Sequence, residues 1–187
     1  SRVNRRIGSE LDHCITLTTT NRDASALNQR RLSRLDGEQF EYEADVSDDF
    51  DESAYPTDAC LKLKIGSQVM MLKNDPQRRW VNGSIGIIRA LIGNSINVEI
   101  DGRVYEVEPV EWQKIVYEYN KEEDRIDEKI VGTFTQYPLK LAWAITIHKS
   151  QGQTFDNVVI DLGWGAFAHG QVYVALSRCT SLQGITL

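Results

Sequence analysis

Between Leu61 and Gln136 the apolar residues of this chain recur at every second position, and on either side they do not. Leu61, Leu63 and Ile65 alternate with Lys62 and Lys64, Gly66 turns the chain, and Gln68 to Lys73 resumes the pattern. A period of two gives a strand one dry face and one wet face; on a helix the same residues would scatter around the axis. Val81-Asn82-Gly83-Ser84 and Asp101-Gly102 are turn signals between such runs. The spacing predicts strands over 85–88, 95–100, 103–107, 113–119 and 130–136, with a charged hairpin tip from Tyr119 to Lys129. Five or six short strands in about 70 residues must curl into a small, bent sheet or barrel.

The flanks read differently. Cys14 to Thr18 is a short β-branched run that predicts a buried strand, and Thr19 to Arg22 a loop. Asp23 is the expected N-cap of a helix from Ala24 to Leu35, with Ala24, Leu27, Leu32 and Leu35 inward and Arg30 and Arg34 outward. After Pro138 a helical period runs over Leu139–Lys149, and Gly152 breaks it. Phe155–Leu162 is apolar enough for a parallel strand covered on both faces. A helix follows over Gly170–Arg178, and Gly184 to Leu187 begins a last strand. The chain is therefore read as α/β at both ends, residues 1–61 and 136–187, with a β-rich insert at 62–135.

The net charge of −6 would disfavour a polyanion if it were evenly spread. It is not. Residues 1–35 carry seven arginines against three acids, and residues 60–187 carry 14 charges of each sign. The acidity is one segment, Asp36 to Asp58, with ten acids and no lysine or arginine. This acidic connection, 36–59, is expected to be long and irregular, with Phe40, Tyr42, Phe50 and Tyr55 able to tack it to a surface. A tether, a partner site and a guard over the basic face remain open roles for it. Three scattered cysteines fit neither a zinc site nor a disulfide framework, which points to a reducing, cytoplasmic setting. No apolar run is long enough to span a bilayer, so no membrane partner is expected. The first residue is Ser1 rather than Met, which suggests a fragment.

Two stretches carry chemistry. In Thr146-Ile147-His148-Lys149-Ser150-Gln151-Gly152-Gln153-Thr154 a cluster of donors suited to phosphate oxygens surrounds one glycine, directly before the apolar run. A lone histidine or Lys-Ser pair would be an ordinary polar connection; the density of donors argues otherwise. In Gln171-Val172-Tyr173-Val174-Ala175-Leu176-Ser177-Arg178 an arginine closes an apolar helix. Such an arginine compensates a helix dipole or reaches a γ-phosphate, and the residue alone does not choose.

Together these stretches resemble motifs V and VI of superfamily 1 DNA helicases, in the RecD-like and Pif-type branch. Leu17-Thr18-Thr19-Thr20-Asn21-Arg22 is similar to the segment around motif IV. Gly66 to Asp75, followed by Val81 to Gly86, resembles the run into that family's SH3-like insert. The order is the family's, and the resemblance covers most of the chain except the acidic connection.

The resemblance implies a RecA-like parallel sheet with helices, interrupted by a small SH3-like β-barrel. By that resemblance Arg178 would be an arginine finger, with Gly152 and Gln153 beside ATP. Thr146, His148, Ser150 and Asn21 would face single-stranded DNA. Lys73 and Arg79, with Arg78 and Trp80, either line the DNA path or form a solvated rim. No G-x-x-x-x-G-K-[ST] phosphate loop occurs in these residues. In the family that loop and the Mg²⁺ ligands lie in an N-terminal RecA-like domain, so these residues alone should not hydrolyse ATP. Movement of the motor would be 5′ to 3′, in the service of DNA repair or recombination. The competing expectation is a non-catalytic module that keeps the fold and binds nucleic acid or protein.

Overall fold

The computed structural model describes residues 14–120, 124–163 and 170–186. In chain order the regular elements are β1 (Ile15–Thr18), α1 (Asn21–Arg34), β2 (Phe40–Glu43), β3 (Asp45–Asp48), β4 (Cys60–Leu63), β5 (Gln68–Met71), β6 (Ile85–Ile92) and β7 (Ser95–Ile100). They continue as β8 (Arg103–Val107), β9 (Val110–Asn120), β10 (Arg125–Gln136), β11 (Leu139–Leu141), β12 (Ala144–Thr146), β13 (Val158–Asp161), α2 (Gln171–Leu176) and β14 (Ile185–Thr186).

The two ends of the chain build one parallel sheet in the order β12-β1-β13-β14. Its central strand β1 is covered on both sides, which is why Ile15 and Leu17 are almost wholly buried and the run is nearly continuous in apolar residues. Helix α1 packs along β12 and β1 of this sheet with Ala24 buried, while Leu32 near its far end joins the core of the insert. It begins at Asn21, two residues after Thr19, and not at Ala24. Thr20 is the cap: its hydroxyl accepts the Asp23 N–H at 3.1 Å and donates to the Asp23 carboxylate at 2.6 Å. The expected cap, Asp23, is instead the third residue of the helix and the partner of Thr20 in a reciprocal capping pair.

Everything between is antiparallel. The larger sheet runs β11-β5-β6-β7-β8, and β3-β10-β9 forms a second one around a long hairpin. The strands predicted from the period-two pattern appear, with β9 and β10 longer than expected; residues 121–123 of the expected tip lie outside the described residues, as does Leu187 of the last strand. Strand β5 is the hinge of the packing. Val69 and Met71 enter the core of the insert, while Met70 joins the core under the parallel sheet. Gln68 fixes the same junction by donating to the carbonyls of Cys14 and Ala142 at 3.2 and 2.9 Å.

Two expectations fail. The acidic connection is largely ordered: β2 pairs with β4, and β3 with β10. In β2 the acids Glu41 and Glu43 point outward while Tyr42 is buried, a period-two pattern too short to stand out among so many carboxylates. Phe50 and Tyr55 pack on Phe134 at centroid distances of 5.7 and 4.7 Å, so aromatic residues do tack the segment down. Residues 139–149 are not a helix but β11, β12 and a single 3₁₀ turn, His148–Ser150. The two residues between the short strands, Ala142 and Trp143, shift the alternation and imitate a helical period. No helix of the described residues is long and apolar enough to cross a membrane.

Candidate nucleotide and nucleic-acid interface

The stretch Thr146–Thr154 leaves the C-terminal end of β12 and reaches β13, the edge at which parallel sheets present their loops to ligands. It joins strand to strand, not helix to strand. Ile147 continues the β-ladder by donating to the Thr18 carbonyl at 2.9 Å. The chain then winds through the 3₁₀ turn. The Ser150 N–H bonds the Ile147 carbonyl at 3.3 Å and its hydroxyl donates to the same oxygen at 2.7 Å. Ser150 is fully buried, so its hydroxyl is held inside the turn. His148 and Lys149 lie on the exposed side. Gly152 follows with φ of +78° and open space where a side chain would be, a conformation that leaves its backbone bare to solvent.

Helix α2 brings Arg178 to this turn. The two stretches are locked together by backbone: the Phe155 N–H bonds the Arg178 carbonyl at 2.8 Å, and the Thr180 N–H returns to the Phe155 carbonyl at 3.0 Å. The Arg178 guanidinium donates to the carbonyls of Gln153 and Val174 at 3.2 and 3.1 Å and to the Ser177 hydroxyl at 2.8 Å. All three acceptors are neutral, and among the described residues Arg178 meets no carboxylate within ion-pair distance. An arginine held by neutral oxygens beside a bare glycine keeps its full charge for an anion. Gln153 adds a second sign of incompleteness, since its buried Oε1 has no hydrogen-bond partner. Its amide rests against the insert at Gly83, where a Cβ would come within 3.0 Å of Gln153 Cδ. Gln153 and Arg178 are thus in direct contact, with Gly152 next to them in the turn.

A second feature opens beside β12. A groove of about 570 Å³ runs between α1, the floor strands β11 and β12, and residues 52–59 of the acidic connection. Asn21 and Thr146 both line it; His148 and Ser150 do not. The Thr146 hydroxyl accepts the Lys149 N–H at 3.3 Å. Asn28 latches α1 to the floor: its amide nitrogen donates to Ala144 O at 2.9 Å and its oxygen accepts the Ala144 N–H at 2.8 Å. Lys140, on the floor, was hidden in sequence by the apparent helical period; its alternation in Leu139-Lys140-Leu141 is the signal that could have found it. Burial first, and then the nearby Lys149 charge, push its ammonium down to about 8, partly offset by Asp58.

The candidates on the insert are engaged elsewhere. Lys73 donates to the Glu111 carbonyl at 2.9 Å and lies 4.6 Å over the Trp112 ring. Arg79 forms a two-pronged ion pair with buried Asp75, at 2.9 and 2.7 Å, and stacks on Trp80 at 4.6 Å. This hydrogen-bonded pairing holds the Asp75 carboxyl below its usual range and raises Arg79. Trp80 is itself in the core, so its ring is unavailable for stacking on a base.

Comparison with known proteins gives the class first. Residues 141–182 match the UvrD-like helicase C-terminal domain, and residues 52–91 match the 2B domain of DNA helicase Pif1. The chain is homologous to the C-terminal region of ATP-dependent Pif1 DNA helicases. It is 39% identical over 171 residues to the ATP-dependent DNA helicase Pif1 of Bdellovibrio bacteriovorus, an alignment covering 88% of this chain and 37% of that one. Unliganded Pif1 from Bacteroides superposes with a TM-score of 0.85 at 41% identity, over 94% of this chain and 40% of that one. Bacteroides Pif1 in complex with ADP-AlF3 and ssDNA matches with a TM-score of 0.79 at 40% identity, over 98% of this chain and 42% of that one. The chain thus spans about two fifths of these relatives, and it carries the RecA-like sheet that the sequence predicts.

Proposed function

We propose that this chain is the second motor lobe of an ATP-dependent DNA helicase. Its Arg178 completes an ATP site whose phosphate loop and Mg²⁺ ligands belong to a preceding lobe. The observation that carries this reading is the Arg178 cluster: a guanidinium with only neutral acceptors, locked beside Gly152 and the unpartnered Gln153 Oε1. The donor set fits one end of a triphosphate and not the whole of it, because no phosphate loop is present in the sequence. ATP supplies the phosphoryl-transfer free energy when bound; Arg178 would orient towards and neutralise the charge that develops at the γ-phosphate. Gly152 lets the backbone come close, and Gln153 connects this contact to the turn at Gly83 of the insert. A relative was solved with ADP-AlF3 and ssDNA, which supports the assignment of both ligands.

The groove beside β12 is proposed to hold the single strand, with Asn21 and Thr146 on its lining and His148 on the adjoining exposed turn. The direction 5′ to 3′, the SH3-like character of the insert at 62–135 and a cytoplasmic setting complete the reading. ATP turnover tests it. The 187 residues alone should hydrolyse ATP no faster than background and should recover turnover when joined to a lobe with a phosphate loop. Robust turnover by the 187 residues alone would contradict the split site.

A further inference from the structure

The groove beside β12 holds four charged side chains that satisfy none of one another. Lys140 stands on its floor, Lys149 at its end, and Glu52 and Asp58 on the wall supplied by the acidic connection. None of the four makes an ion pair or a side-chain hydrogen bond among the described residues. A half-buried ammonium without a hydrogen-bonded counter-charge is costly, and a groove that keeps one is built for an anion it does not itself supply. Asp58 lines the same groove and its charge is felt at Lys140, and the residues on either side of it are anchored. The Thr57 hydroxyl donates to the Leu139 carbonyl at 2.8 Å, and Gln136 donates to the Ala59 carbonyl at 3.1 Å. Asp58 is therefore held in the groove by anchorage of its neighbours and not by pairing with Lys140. Asn21 and Ser25, one turn apart on α1, offer neutral donors along the facing wall.

We propose that Lys140 grips a backbone phosphate of the single strand, and that Asp58 is a fixed counter-charge which weakens this grip until the strand displaces its influence. The inference rests on the strand reading of the groove. It assigns a role to part of the acidic connection: residues 52–59 act as an electrostatic guard over the binding floor. Binding would raise the proton affinity of Lys140, so the grip is complete below about pH 8 and is lost as the ammonium deprotonates above it. The titratable groups facing Lys140 are Lys149 from the 3₁₀ turn and Glu52, Tyr55 and Asp58 from the connection; the lining residues of α1 do not titrate.

The test uses the 187-residue chain and fluorescein-labelled oligodeoxythymidylate. Lys140→Gln should weaken binding about tenfold at low salt and flatten the salt dependence by about 0.7 in logarithmic slope, as for one lost phosphate contact on a single strand. Asp58→Asn should tighten binding about threefold, and that gain should vanish in the Lys140→Gln background. Lys140→Arg should bind as the wild type does at pH 7 and retain affinity at pH 9, where the wild type loses it. Wild-type binding that Lys140→Gln leaves unchanged, or an Asp58→Asn gain that persists without Lys140, overturns the proposal alone. If the wild type binds no oligonucleotide, the strand reading fails and takes the proposal with it. If Lys140→Gln instead alters affinity for ATP, the phosphate belongs to the nucleotide and the proposal is again overturned. Thermal melting of each variant separates a lost contact from a lost fold.

Discussion

Arg79 in the insert and Arg178 beside the parallel sheet are both cations set next to apolar or aromatic residues in sequence, Arg79 directly before Trp80 and Arg178 two residues after Leu176. Their surroundings differ in kind. Arg79 faces buried Asp75 and lies on Trp80, and its charge is already neutralised. Arg178 faces three neutral oxygens. The difference teaches that an arginine is available to a phosphate only where the fold withholds a carboxylate from it. A basic residue with a built-in partner stabilises the fold; one without is left for something that arrives later.

The largest effect that could break this comparison lies in catalysis. In a protein carrying both lobes, Arg178→Ala should lower ATP turnover by about a thousandfold, in line with the contribution of arginine fingers. Equilibrium binding of single-stranded DNA should change little. The matching change in the insert should act on stability. Asp75→Ala leaves Arg79 without its hydrogen-bonded anion and should cost about 2 kcal/mol, read from urea denaturation midpoints. The pH dependence sharpens the contrast. The folded-state pKa of Asp75 is depressed, so the pair's contribution is present above the unfolded carboxylate pKa and is lost as pH falls through the lower folded value. The stability gap between wild type and Asp75→Asn should therefore narrow between pH 5 and about pH 3; a gap that stays constant would discard the ion pair as its source.

Smaller effects probe what joins the two regions. Gly83→Ala forces a Cβ into the Gln153 amide at a φ of +93°, and should lower stability by about 1–3 kcal/mol. If the insert bears on the nucleotide cluster through Gln153, turnover per folded molecule should fall as well. Thr20→Ala removes the cap of α1 and should cost about 1 kcal/mol in thermal or urea melts. Because Asn21 lines the strand groove at that helix end, oligonucleotide affinity should weaken with it.

Where the sequence was legible, one physical pattern dominated its neighbours. Phe155–Leu162 reads as a parallel strand because its apolar run suits burial on both faces, and it appears, shorter, as β13. The hairpin at Asp101-Gly102 reads from turn chemistry and appears between Ile100 and Arg103. Arg178, Gly152 and Gln153 were grouped through the resemblance to the helicase family, since neither stretch alone says that the other lies beside it. Illegible were the features decided by contacts distant in sequence. Lys140 lies in a three-residue strand whose alternation is broken by Ala142 and Trp143, and its partner wall comes from residues 52–59. Arg79 has a visible acid at Asp75, but only the fold reveals that this carboxylate is buried and bidentate. Ser150 carries a hydroxyl suited to phosphate, yet the tight 3₁₀ turn directs it onto the Ile147 carbonyl.

The central claim is that this lobe contributes one charge, that of Arg178, to a site it does not complete. Single-turnover ATP hydrolysis by a protein with both lobes tests it most directly, comparing wild type with Arg178→Lys and Arg178→Ala at saturating ATP and oligonucleotide. Arg178→Ala should slow the chemical step by about a thousandfold, with only partial recovery in Arg178→Lys, because an ammonium restores the charge without the planar fork. An unchanged rate in Arg178→Ala would contradict it.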